Sequence, residues 1–156
     1  MKLRVLALAH AGPDWAEAAC REYAKRLPRH WKTRVDLIAP ARRSGKAEAA
    51  HWQAADSERA RQALEPGAAL VLLDERGRGY DSRGLAARVA HWDREYPQLC
   101  LLIGGPDGHD EAMRAQAVEQ LSLSPLTLPH ALARVLLLEQ LYRASAINAG
   151  HPYHRD

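Results

Sequence analysis

Four short apolar runs, LRVLALA (3–9), RVDLIA (34–39), ALVLLD (69–74) and LCLLIGG (99–105), are each followed by a stretch with helical spacing, and this alternation constrains the fold more than any other feature. Trp15, Ala19, Tyr23 and Leu27 recur every fourth residue behind Pro13 and Asp14, and Leu85, Val89, Trp92 and Tyr96 recur at three or four behind Asp81 and Ser82. Proline and short polar residues at those places are helix start signals. Parallel strands need long crossover connections, so the pattern predicts an α/β fold with a mostly parallel sheet flanked by helices. The span 46–64 is alanine-rich and charged, with Trp52, Ala60 and Leu64 as its few apolar anchors, and reads as a helix lying mostly in solvent behind a basic loop, ARRSGKAE.

The span 131–147, ALARVLLLEQLYRASAI, is apolar on more than one side: Leu132, Val135 and Leu136 on one, Leu137, Leu138 and Leu141 toward another. A helix apolar this far round is buried, and beside a small sheet that predicts contact with a second copy, a homodimer. A central core helix of a monomer is the alternative.

A length of 156 residues suits one domain, 1–156, with neither repeats nor low-complexity linkers. The net charge of +3 is compatible with a polyanionic partner but too small to establish one. Cys20 and Cys100 stand apart without a CxxC neighbour, which predicts reduced, buried thiols and a cytoplasmic location. The start, MKLRVLALAH, is too short for a signal-peptide core, and no run approaches a membrane span.

In open α/β sheets, ligands gather at the carboxyl ends of strands. That selects the loop after Asp74, the loop after Ile103 and the segment LSLSPLTLPH (121–130), a short alternation stopped by Pro125 and Pro129. In LLIGGPDG (101–108) a buried strand ends on two bare residues. Two readings fit Gly104 and Gly105: a tight turn needing positive φ, or main chain left open for a ligand. Neither GGPDG nor GRGYDS (77–82) satisfies the dinucleotide pattern G-x-G-x-x-G, and no P-loop is present, so nucleotide phosphates are not the expected ligand.

The tail HPYHRD offers His151, Tyr153 and His154, readable as a solvated terminus or as working groups, while a zinc site there lacks further ligands. His109 and His130 read as turn or cap residues. Arg143, on the buried-looking last helix, is either paired with Glu139 four residues before it or employed in function. Arg42, Arg43 and Lys46 read as solvated surface, or as a nucleic-acid contact.

LLIGGPDG, LSLSPLTLPH, RVLLLEQLYRASAI and HPYHRD, in this order and spacing, closely resemble the small SPOUT-class methyltransferases of the RlmH family, which methylate N3 of a pseudouridine in 23S ribosomal RNA. The resemblance is full-length, strongest from Leu70 onward. In the N-terminal half the loop AHAGPDW, with His10 and Ala11, departs from the family's small polar or lysine-containing loop. The resemblance implies a C-terminal trefoil knot, S-adenosyl-L-methionine bound in a bent shape at that knot, and a homodimer whose tails help to build the partner's site.

By the same resemblance the cofactor positions are Leu73, Gly104, Gly105, Ser122, Leu123, Ser124, Pro125, Leu126 and Thr127, and the catalytic candidates are Arg143, Tyr153 and His154. Methyl transfer to a weakly acidic imide nitrogen requires alignment and removal of a proton, and no metal. Arg143 would anchor phosphate or a developing negative oxygen, Tyr153 would hold the base, and His154, near neutral pKa, would relay the N3 proton. The alternatives are a SPOUT methyltransferase acting on another RNA such as transfer RNA, and a non-catalytic ribosomal-RNA-binding knot protein.

Overall fold

The computed structural model describes residues 1–153. Its strands are β1 (Lys2–Leu8), β2 (Arg34–Ile38), β3 (Ala69–Gly79), β4 (Gln98–Ile103) and β5 (Glu119–Ser122), and its α-helices α1 (Asp14–Arg26), α2 (Ala49–Ala63), α3 (Ser82–Glu95), α4 (Glu111–Gln116) and α5 (His130–Asn148). Among the described residues the strands form one sheet in the order β2-β1-β4-β3-β5, every pair parallel.

Both faces of the sheet are covered, which is why its central strands are continuous apolar runs. Leu3, Val5 and Ala7 of β1, Leu99, Leu101 and Ile103 of β4 and Val71 of β3 point to one side, where they meet α1, α3 and α5 through Cys20, Val89, Trp92 and Leu138. Leu6, Leu8, Leu70, Leu72, Cys100 and Leu102 point to the other, against Ala60 of α2 and Met113 of α4. Both cysteines are free and buried, and desolvation pushes the Cys100 thiol up to about 12. No helix among the described residues is long and apolar enough to cross a membrane.

Local signals set the helix starts. Asp81 caps α3 by accepting from the Gly84 amide at 2.7 Å, and Asp110 caps α4 by accepting from the Met113 amide at 2.8 Å. In α1, Asp14 and Glu17 lie in the first turn and Lys25 and Arg26 in the last, as the helix dipole favours. Trp15, counted above with the buried stripe of α1, is 60% exposed.

Two elements differ from the expectation. The short helix α4 has too few apolar positions to show a period. The third strand continues past Asp74 to Gly79 with a register shift: Leu121 of β5 is opposite Leu73 and again opposite Arg78, so residues 74–77 arch away from the ladder. At the end of the arch a Cβ on Gly77 would stand 2.6 Å from the Leu121 carbonyl carbon, so β3 passes against the main chain of β5 at a spacing that leaves no room for a side chain.

Candidate active site

A cleft of about 620 Å³ opens at the carboxyl ends of β3, β4 and β5. Its walls are the arch of β3 at 73–76 and the loops 103–109 and 122–128 that follow β4 and β5, the last without Pro125. Gln53 of α2, Arg114 of α4 and Ala133 of α5 complete the lining. Of the positions named from sequence, Leu73, Gly104, Gly105, Ser122, Leu123, Ser124, Leu126 and Thr127 all line this one cleft, while Pro125 is exposed within the same loop. That loop is held by its own serines: Ser122 Oγ donates to the Ser124 carbonyl at 3.1 Å, and the Leu126 amide donates to Ser124 Oγ at 2.9 Å.

The two bare residues after β4 have a structural cause that neither sequence reading contained. Neither Gly104 nor Gly105 has positive φ; that conformation belongs to Gly108, at +73°. The Gly108 amide donates to the Gly105 carbonyl at 3.0 Å and closes a turn with Pro106 at its second position. A Cβ on Gly104 would stand 2.9 Å from His109 Cε1, and one on Gly105 would stand 2.5 Å from Asp56 Oδ2. The protein's own side chains occupy the space that a Cβ would need.

His109 is 2% exposed, and its Nε2 lies 3.0 Å from the Leu73 carbonyl oxygen. A carbonyl only accepts, so this nitrogen carries the proton and donates. Burial is the main influence and pushes the His109 pKa below its ordinary value. The imidazole therefore ties the loop after β4 to the end of β3. His130, at the start of α5, has its pKa pushed down chiefly by burial, with Arg134 adding to the effect and contacts to the Gly105 and Gly104 backbone opposing it.

Asp74 is almost fully enclosed. Burial pushes its pKa up, but the Arg76 amide at 2.9 Å and Arg114 Nε at 2.9 Å more than offset this, leaving it below the usual carboxylate range. Anionic Asp74, Glu75 and Asp107 and cationic Arg76 and Arg114 thus share the cleft.

Arg143 and Tyr153 are brought together, but not at the cleft. Arg143 Nη2 donates to Glu139 Oε1 at 2.6 Å, and the Tyr153 hydroxyl donates to the same oxygen at 3.2 Å. The Arg143 guanidinium lies 5.1 Å from the Tyr153 ring centre, and Tyr142 packs on that ring at 4.5 Å. Burial first, then a hydrogen bond with Tyr23 and the nearby Glu139 carboxylate, push the Tyr153 pKa up to about 12. Arg143 is ten residues beyond Ala133, about 15 Å along α5. Of the two readings of Arg143, the pair with Glu139 four residues before it is present. His154 lies outside the described residues.

Gln53, in the cleft lining, and Asp56, behind Gly105, are residues that the sequence reading passed over. Asp56 completes the four-residue row Trp52, Asp56, Ala60, Leu64 on the inner face of α2, and a carboxylate within such a row was the available signal. Arg43, read above as solvated surface or a nucleic-acid contact, is exposed, and it also binds Asp56 and Asp107 at 2.6 and 2.9 Å.

Comparison with known proteins fits this arrangement. The family model described as "Predicted SPOUT methyltransferase" matches residues 1–154. This chain belongs to the SPOUT methyltransferase family. It is 48% identical over 156 residues to a protein of Variovorax paradoxus named "Ribosomal RNA large subunit methyltransferase H", with all of both chains covered. A protein of the same name from Verminephrobacter eiseniae is likewise 48% identical, again with both chains covered in full. Among solved structures, a probable methylase family protein from Haemophilus influenzae superposes with a TM-score of 0.60 at 15% identity, covering 95% of this chain and 66% of that one. At that identity the likeness is one of fold.

Proposed function

We propose that this SPOUT methyltransferase transfers a methyl group from S-adenosyl-L-methionine to N3 of a pseudouridine in 23S ribosomal RNA of the large subunit, working as a cytoplasmic homodimer with a C-terminal trefoil knot. The observation that carries the reading is the convergence of the arch and the two loops on one cleft. The substrate class rests on full-length relatives named as large-subunit ribosomal RNA methyltransferases. The knot rests on the family to which the chain belongs.

The residues present suit such a cofactor. The cleft volume of about 620 Å³ lies within the ~300–1,000 Å³ of ordinary small-molecule sites. Main-chain groups of the loops 103–109 and 122–128 offer donors and acceptors for a base and ribose, and the mixed charges of Asp74, Asp107, Arg76 and Arg114 suit a ligand bearing ammonium, carboxylate and sulfonium groups. Bound there, the cofactor supplies an electrophilic methyl group.

The chain must then orient the base and take a proton from N3. Tyr153, with its pKa near 12, remains a phenol at neutral pH, so it holds the base by stacking or by donating, and does not act as the base. Arg143, kept cationic by Glu139, faces phosphate or the oxygen on which negative charge grows. His154 relays the proton. Since Arg143 lies well along α5 from its own cleft and Tyr153 packs beside it beyond the end of that helix, they serve the cleft of the second subunit, and the partly exposed side of α5 together with Trp15 of α1 forms the contact.

The test is a methyl-transfer assay on intact ribosomes, free 23S RNA and transfer RNA, with mass mapping of the product. Methylation of a pseudouridine in large-subunit RNA is expected. Methylation of transfer RNA alone would move the substrate assignment, and absence of any cofactor-binding heat in calorimetry would make the protein a scaffold.

A further inference from the structure

Asp56 is completely buried on α2, on the side of the sheet opposite α5, yet it reaches the cleft loop. Its Oδ1 accepts from the Ala41 amide at 2.6 Å and Arg43 Nη1 at 3.1 Å, and its Oδ2 accepts from Arg43 Nη2 at 2.6 Å. The same Nη2 donates to Asp107 Oδ2 at 2.9 Å, while Gln53 Nε2 donates to the Asp107 carbonyl at 3.0 Å. Arg43 also lies over the Trp52 ring, 5.6 Å from its centre. Asp56 presses against Gly105 from behind, and Arg43 holds Asp107 from the side.

We propose that Arg43 is a positioning residue, which fixes the cofactor-binding face of the 104–108 loop by bridging buried Asp56 to Asp107. The proposal rests on the reading of the cleft as the S-adenosyl-L-methionine site. A guanidinium is suited to the task because its planar fork satisfies two carboxylates at once, and a lysine ammonium does not reproduce that geometry. Without the bridge the turn Gly105–Gly108 keeps its single backbone bond but samples more orientations, so part of the cofactor's binding energy is diverted to ordering it.

Arg43→Ala leaves Asp56 buried without its charge partner and risks misfolding, and Asp107 itself lines the cleft, so the main variant is Arg43→Lys, which keeps a cation beside Asp56 but cannot bridge both carboxylates. Two readouts are taken on the full chain: amide hydrogen exchange over 105–109 in the free protein, and calorimetric titration with S-adenosyl-L-methionine. The expected result is faster exchange confined to that loop, a three- to tenfold weaker cofactor affinity, and a KM for cofactor that rises more than kcat falls. Asp107→Asn, which cuts the same link from the loop side, should show the same loop exchange. Wild-type exchange and affinity in Arg43→Lys would overturn the proposal, as would faster exchange without loss of affinity. A wild-type protein that binds no S-adenosyl-L-methionine removes the cleft reading and this inference with it, whereas a wild type that binds beside variants that bind equally well removes the inference alone.

Discussion

His109 turns its imidazole onto Gly104, so that the ring occupies the space a Cβ would need, 2.9 Å from its Cε1. The same ring donates to the Leu73 carbonyl. One side chain therefore sets both the end of β3 and the start of the loop after β4. Gly104→Ala should cost about 1–3 kcal/mol, the usual penalty of overpacking, measured by urea denaturation. His109→Ala vacates the colliding ring, so the double variant should be less destabilised than the sum of the two single ones. Strict additivity would show that the two positions do not share this space.

The burial of His109 and His130 gives stability a pH dependence. Both have native pKa values pushed below the ordinary histidine value of 6.5, so the unfolded chain binds protons first as pH falls. The contribution of the neutral rings is fully present above about 6.5 and is lost progressively as pH falls toward and through the lower native values. Melting temperature should drop between pH 7.5 and pH 5.5. In His109→Leu that drop should be smaller, because one of the two rings is gone. The carboxylates held low, such as Asp74 and Glu119, titrate below this interval and leave it to the histidines.

Removal of residues 151–156 should leave cofactor affinity within about twofold, since none of the described residues 151–153 lines the cleft, and should abolish most methyl transfer. His154→Ala should lower the rate by ~10²–10⁴ if that group handles the N3 proton. Mixing a Thr127→Trp subunit, whose cleft is blocked by a side chain at an exposed lining position, with a tail-deleted subunit should restore activity that neither homodimer has, with heterodimers verified by mass. Lack of recovery would place each tail with its own cleft.

Leu132 and Trp15, on α5 and α1, are 40% and 60% exposed on two helices that pack together. Those helices are joined by buried Arg134, whose Nη2 donates to Glu17 at 2.6 Å. Leu132→Glu should convert the protein to monomers in sedimentation velocity at low micromolar concentration, without lowering its melting temperature by more than a few degrees. A dimer that survives the substitution would place the interface elsewhere.

The layers of the fold were legible because the code for them is local. Leu99, Cys100, Leu101, Leu102 and Ile103 are apolar without interruption since both faces of β4 are covered, and Asp81 announces α3 by its capping chemistry. The walls of the cleft were legible in part, through strand ends and through family motifs. Their inner supports were not: Asp56 and Arg43 meet Gly105 and Asp107 across about fifty residues of sequence, and such pairing leaves no periodic trace. The bareness of Gly104 was visible, but its cause, an imidazole five residues ahead folding back, depends on the turn that Gly108 closes.

The strand order has a consequence for how the chain comes off the ribosome. The central strands β1, β4 and β3 and the far edge β2 are all complete by Ile103, whereas β5, which covers the outer edge of β3, arrives later. At ~5–20 residues per second, the remaining 53 residues take roughly 3–10 s to make, and for part of that time the nascent sheet presents β3 with free amides and carbonyls. Open edges of this kind template pairing with other chains. The newborn protein therefore passes through an interval of vulnerability to aggregation that ends when a four-residue strand docks, and that docking also supplies the last wall of the pocket.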